Sequence, residues 1–227
     1  MAEDKRPFVF EGEGYEDLND ALLSLEREYK LTYDYSAIEK ANSIQEILDV
    51  VYKSFLNLDK ERKEDCTSQQ AFYKLKSVLQ KYNEEAVITP SSQLETLISR
   101  ENRIATIGMI DGELGFKLHV LRPKESLEIT LWEVLLCLII MFFFIPLYAL
   151  VGSVIWVFVC QSLYSNAKEF KVETVGELVK QMVMNNYFKS RRDPNTINEQ
   201  ELRKVVVSYL ADSLGLTEEE LVEAQFG

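Results

Sequence analysis

Apolar side chains recur along the first half of the chain at the alternating three-and-four spacing of a helix. In residues 15–31, Leu18, Leu22, Leu25 and Tyr29 fall on one face. Residues 42–58 repeat the pattern with Ile44, Ile47, Leu48, Val51 and Phe55. Residues 67–82 repeat it again with Phe72, Leu75, Val78, Leu79 and Tyr82, opening on Thr67 or Ser68 as N-cap. Between the second and third helices lies DKERKED, 59–65, in which every residue is charged; it reads as a solvated connector. After Pro90, SSQLETLIS predicts a short helix capped by Ser91 or Ser92, with Glu95 placed to complete a capping box with Ser92.

The next stretch, 101–123, supports two readings. Asp111-Gly112 between apolar runs is a hairpin-turn signal, and Leu114, Phe116, Leu118 and Val120 alternate as in a half-buried strand. Ile104, Ile107, Ile110 and Leu114 also share a helical face that Gly115 is placed to end. A helix to about Leu114 followed by an extended FKLHVLRP reconciles most of both. Near the other end, 173–188 carries Val175, Leu178, Val179, Met182 and Val183 at helical spacing. RRDPNT, 191–196, reads as a loop, 197–215 as another helix, and LTEEELVEAQFG closes the chain.

One stretch has no polar face at all. From Val134 to Ala167 the chain runs 34 residues without a charge. As one straight helix it would be about 50 Å long, against a hydrocarbon core about 30 Å thick. Pro146 removes a backbone donor near the middle, and Gly152-Ser153 forms a second soft point. Three arrangements compete: a hairpin of arms 130–145 and 148–164 turning within IPLYALVG, a single kinked span, and a buried helix pair in a soluble core. The absence of a polar stripe disfavours the last. Arg122 and Lys124 precede the run while Lys168, Lys171 and Lys180 follow it, so the positive-inside tendency keeps both flanks on the cytoplasmic side and prefers the hairpin. Each arm is then expected to be short, about 24 Å. Trp132, Tyr148, Trp156 and Tyr164 are candidate interfacial aromatics, Glu133 a headgroup-level carboxylate, and Pro146 and Gly152 the residues that shape the turn and the packing.

The expected fold class is therefore mainly α: cytosolic helical modules plus a short transmembrane helical hairpin. Along the chain this divides into an N-terminal cytosolic helical domain, 1–127, a membrane hairpin, 128–167, and a C-terminal cytosolic segment, 168–227. The polar, acidic N-terminus, MAEDKRPFVFEGEGYEDLND, has no apolar signal-peptide core. Three cysteines, Cys66, Cys137 and Cys160, in no pairing pattern suit a reducing compartment. Together these suit a bacterial inner membrane, where the chain is expected with both termini cytoplasmic.

A net charge of −12 argues against nucleic-acid binding, which needs cations facing phosphates, and for a basic partner. Catalytic signatures are thin. His119 is the sole histidine, so no histidine-based metal cluster forms. Gly108, Gly112 and Gly115 lack the following Lys-Ser/Thr of a phosphate loop. The cluster Glu11, Glu13, Glu16, Asp17 and Asp20 lacks the spacing of a calcium loop and reads as a solvated face. Arg191-Arg192 is a weak candidate for anionic lipid. No catalytic, cofactor-binding or metal-binding residue is expected.

Two segments resemble parts of acyl carrier proteins. In about 66–103, Ile88-Thr89-Pro90, Leu94 and Leu97 match that family's I-T-P-x-x-x-L-x-x-L pattern; in 200–227, Leu214-Gly215-Leu216 and Glu219-Glu220-Leu221 match the end of its first helix. The resemblance implies a helical carrier-like shape. The residue loaded with phosphopantetheine is missing: the position falls near Arg100–Asn102, and Asp212-Ser213-Leu214, though it spells the family's D-S-L, is out of register. CTSQQAFYKL, TPSSQLETLISRENR and the apolar hairpin followed by KEFKVETVGELV are similar to small bacterial membrane proteins, some resembling immunity proteins. The expected function is a non-catalytic, membrane-anchored interaction protein with acidic helical surfaces, for which neutralising a toxin is one form. The alternatives are an acyl-carrier-like protein or mimic, and an accessory subunit of a membrane complex.

Overall fold

The computed structural model describes residues 8–226 apart from the side chains of Glu128 and Pro146; residues 1–7 and the Pro146 ring lie outside the described part. The chain is 65 % helical, with twelve helices among the described residues. In chain order these are β1 (Val9–Phe10), α1 (Glu13–Tyr29), α2 (Tyr35–Ile38), α3 (Ile44–Leu56), β2 (Glu61–Arg62), α4 (Thr67–Tyr82), α5 (Leu94–Leu97), α6 (Arg103–Leu114) and β3 (Leu121–Arg122). Then follow α7 (Glu125–Phe144), α8 (Pro146–Ser165), β4 (Glu169–Phe170), α9 (Val175–Asn185), α10 (Tyr187–Ser190), β5 (Thr196–Ile197), α11 (Glu199–Leu214), α12 (Glu218–Glu223) and β6 (Gln225–Phe226). Packing gathers them into two units, one of residues up to 73 with 180 onward, the other of 74–179. The linear segments 1–127, 128–167 and 168–227 thus describe chain order, while packing groups the two ends together.

The first unit has its core where α1, α3 and α11 meet. Leu25, Val51, Phe55, Leu202, Val206 and Leu210 are buried there, and Tyr29 stacks edge-on against Phe55 and Phe188. The caps explain the helix starts. Ser43 accepts from Glu46 N at 3.4 Å, while the Glu46 carboxylate accepts from Asn42 N at 2.8 Å. Thr217 and Glu220 form a full capping box at α12. Two short parallel ladders tie N-terminal to C-terminal segments, β1 with β6 and β2 with β5. The charged connector 59–65 is largely exposed as its composition predicts, yet part of it is a paired strand, and Lys60, Arg62 and Asp65 add side-chain contacts to Pro194, Glu199 and Arg191.

A buried cation completes this joint. Arg191 is fully buried: its Nε donates to Thr196 Oγ1 at 2.8 Å and its Nη1 to Thr67 Oγ1 at 2.5 Å, while Nη2 pairs with the Asp65 carboxylate. Arg191 is therefore unavailable to lipid, which corrects its reading as a surface residue; Arg192 is exposed. Thr67 is buried with its hydroxyl on this arginine, and its backbone N–H donates to Glu201 at 2.7 Å, so a distant segment occupies both groups.

In the second unit α4 contributes Leu75, Val78 and Leu79 to the core. Tyr82, expected on that face, is exposed and donates instead to the Glu113 carboxylate at 3.1 Å, one turn beyond the buried stripe. The helix over 103–114 ends at Gly115, whose φ of 76° is the left-handed conformation that the stop requires. Beyond it Phe116, Leu118 and Val120 are buried in strict alternation with exposed neighbours. The Asp111 carboxylate accepts from Leu118 N at 3.0 Å and pins the turn; its burial holds the carboxyl above the ordinary range. The capping box expected at Ser91 or Ser92 does not form. Gln93 takes the cap position, because Ser92 Oγ accepts from Thr89 N and the Ser92 carbonyl accepts from Val175 N at 3.0 Å.

A candidate membrane hairpin and its charged base

Apolar residues occupy every side of α7 beyond Glu133 and every side of α8, so neither helix has a face that prefers water. Each is 20 residues long, about 30 Å at 1.5 Å per residue. Both are long and apolar enough to cross a membrane by length and composition. The arms expected at 130–145 and 148–164 are lengthened, because α7 starts at Glu125 and the turn contracts to one residue, Ile145 (φ −141°, ψ 72°). Pro146 does not sit in a loop: at the first helical turn its missing N–H costs nothing, so it starts α8 at once. Leu147–Gly152, part of the segment expected to turn, is helical.

The two helices pack antiparallel through small residues. Ala149 is 1 % exposed, and a Cβ on Gly152 would meet Leu138 Cδ2 at 2.7 Å. Trp156 turns towards the partner helix and donates from Nε1 to the Leu131 carbonyl at 3.3 Å. Ser153 bonds back to Ala149 O at 2.8 Å, which satisfies its hydroxyl within the helix. Ala149, Gly152 and Trp156 thus serve contacts inside the hairpin. The remaining apolar surface faces outward: Phe143 is 80 % exposed, Phe144 79 % and Leu147 70 %. Trp132 and Tyr164 are exposed towards the open end of the hairpin, as is Glu133, whereas Tyr148 is exposed beside the turn.

The open end is tied. β3 and β4 pair antiparallel, Leu121 opposite Phe170 and Arg122 opposite Glu169, and Lys171 N donates to Val120 O at 2.8 Å. Both legs of the hairpin therefore leave from one point. Beneath the ladder Arg103, 2 % exposed, lies 4.1 Å from the centre of the Phe170 ring and donates to the carbonyls of Lys168 and Ile98. Glu95 and Glu169 stand 3.6 and 3.9 Å from its guanidinium, and Arg100 pairs with Glu169 at 2.6 Å. Sequence reasoning missed Arg103 and Glu169, since an arginine among charged neighbours in SRENR carries no local mark of burial.

Elsewhere the candidate groups stay apart. His119 is exposed in a left-handed conformation, φ 51°, and among the described residues no group of three His, Cys, Asp or Glu is arranged to hold a metal. Glu11, Glu13, Glu16, Asp17 and Asp20 are exposed around the start of α1. Ser213 is exposed in the last turn of α11, ahead of the Gly215 stop, and Arg100–Asn102 form the turn before α6. The chain matches no protein-family model, no curated protein and no solved structure.

Proposed function

We infer that the chain is a membrane-anchored, non-catalytic interaction protein, held in a lipid bilayer by the α7–α8 hairpin and presenting acidic helical surfaces to a basic protein partner. The observation that carries the anchor is the outward apolar surface of two helices whose ends are tied at one base. In water this surface far exceeds the few hundred Å² that soluble monomers expose as a continuous patch. The tied base supports an arrangement in which both flanks lie on one side of the bilayer. With the formal net charge of −12, long-range attraction favours a cationic partner and weakens with salt.

The depth of insertion follows from where charge ends. From Ile129 to Phe144 the only charge is Glu133, and the run of 16 residues reaches about 24 Å. The hydrocarbon core is about 30 Å. The turn, Phe-Phe-Phe-Ile-Pro-Leu, contains no polar residue to meet water on a far side. The hairpin is thus re-entrant, entering and leaving by the same leaflet, with Ile129 at the interface and Glu133 one turn deeper, its side chain tilted back toward the base so that the carboxylate reaches headgroup level.

Alkaline carbonate extraction of membranes from cells expressing the full chain tests the anchor. The chain is expected to stay in the pellet and to be released by detergent. A folded monomer in the supernatant of detergent-free lysate would overturn the reading.

A further inference from the structure

At the base of the hairpin a groove of about 950 Å³ opens between the β3–β4 ladder, the first turn of α7 and the segment following β4. Its lining carries four cations, Arg100, Arg122, Lys124 and Lys171, and four carboxylates, Glu95, Glu125, Glu169 and Glu173. Arg100 and Glu169 satisfy each other, and Glu95 faces Arg103. Arg122, Lys124 and Lys171 have no ion-pair partner among the described residues. The pairing register sets Arg122 on the same side of the ladder as Lys171, as diagonal neighbours roughly 7–8 Å apart at the backbone. Lys124 is the N-cap residue of α7. Three unpaired cations thus converge on one concave site in a chain whose overall charge repels anions.

We propose that this groove binds the phosphodiester of an anionic phospholipid headgroup through Arg122, Lys124 and Lys171. The proposal rests on the membrane reading above, which sets Ile129 at the hydrocarbon boundary and therefore places residues 122–126 at phosphate level. Each cation near an anionic surface is worth about 1 kcal/mol, and a guanidinium adds a fork matched to phosphate oxygens. Glu125 and Glu173, on the groove wall, are placed to accept from headgroup hydroxyls, which distinguishes phosphatidylglycerol from phosphatidylcholine.

Native mass spectrometry of the full chain, released from micelles doped equally with phosphatidylglycerol and phosphatidylcholine, tests this. The wild type is expected to retain phosphatidylglycerol at least fivefold over phosphatidylcholine, ~1 kcal/mol by the relation of tenfold to 1.4 kcal/mol. The triple variant Arg122→Gln, Lys124→Gln, Lys171→Gln loses that preference. A control of equal charge change, Lys40→Gln, Lys53→Gln, Lys204→Gln, keeps it. Equal retention of the two lipids by the wild type, loss of preference in the control, or its abolition by millimolar inorganic phosphate would each overturn the proposal, the last by assigning the site to soluble phosphate. The triple variant's persistence in the carbonate-extracted pellet separates failure here from failure of the anchor.

Discussion

Tyr33 and Tyr29 show how similar buried hydroxyls differ in what they contribute. Tyr33 is 5 % exposed and its Oη has no hydrogen-bond partner among the described residues, whereas Tyr29 Oη donates to Met184 O at 3.3 Å and accepts from Tyr187 N at 3.1 Å. A desolvated, unpaired hydroxyl is unfavourable, so Tyr33→Phe is expected to stabilise the full chain in mild detergent by ~1 kcal/mol. Tyr29→Phe is expected to destabilise it by a similar amount, and thermal melts of both variants read the difference in sign. Burial pushes both phenols above the ordinary tyrosine range, with the charge of Glu26 adding to Tyr33 and that of Glu28 to Tyr29. Between the ordinary value of about 10 and the raised native values, the unfolded chain holds fewer protons. Stability is therefore full below about pH 10 and falls as pH rises beyond it; the alkaline fall becomes shallower in either Phe variant. Arg191 makes a stronger case. Arg191→Met leaves Thr67, Thr196 and Asp65 without their common donor and is expected to cost about 3 kcal/mol, less than a fully buried pair because Asp65 is half exposed. That is a fall in melting temperature of roughly 6–12 °C for a chain of this size. Arg191→Lys recovers only part, since an ammonium cannot reproduce the fork. None of this was legible beforehand. Arg191 is held by Thr67 and Asp65, far away in the chain, and Tyr33 lies outside every helical stripe, so local periodicity marks neither.

Helices were far more legible than their partners. The stripes at Leu18, Leu22 and Leu25, at Ile44 to Phe55, and at Val175 to Val183 are buried as the spacing predicts, because the same 3.6-residue repeat that orders the sequence orders the surface. Legibility failed at ends. Tyr82 continues the stripe numerically but lies where α4 has outrun its core, and Ser92 spends its oxygen on a local turn. The hairpin joint was also read too long, since proline is a breaker only inside a helix and a starter at its first turn. The close approach at Gly152 yields a test at this scale. Gly152→Val sets branched carbon where Leu138 Cδ2 now lies and is expected to splay the helices, breaking the bond from Trp156 to Leu131. Trp156 emission should shift and the melting temperature fall. Adding Leu138→Ala frees the space, so the double variant is expected to recover most of the loss, a positive coupling of about 1 kcal/mol. If the two substitutions simply add, Gly152 and Leu138 are not packed against each other.

For the molecule as a whole, the tied base and the apolar tip lead to one topological expectation. A hairpin that crossed completely would carry its turn into water on the far side, and Phe142 to Leu147 would then be exposed to solvent without one polar group among them. Exposed apolar area costs roughly 25 cal/mol per Å², so several fully exposed large side chains strongly favour keeping the tip in hydrocarbon. The flanks have the opposite preference: the base carries the charged ladder residues and the groove, whose hydration, in the membrane reading proposed above, would keep it at the surface. With Cys66, Cys137 and Cys160 replaced by Ser or Ala, single cysteines at Ser126, Phe143 and Asn166 report each station. In sealed vesicles of known orientation, Ser126→Cys and Asn166→Cys should react with a membrane-impermeant maleimide from the same side only. Phe143→Cys should resist that reagent from both sides and react with a permeant one, or after detergent is added. Labelling of Phe143→Cys from the side opposite the flanks would mean a full crossing. Labelling of Ser126→Cys and Asn166→Cys from opposite sides would break the hairpin itself, and with it the antiparallel pairing of Leu121 to Phe170 on which the common base depends.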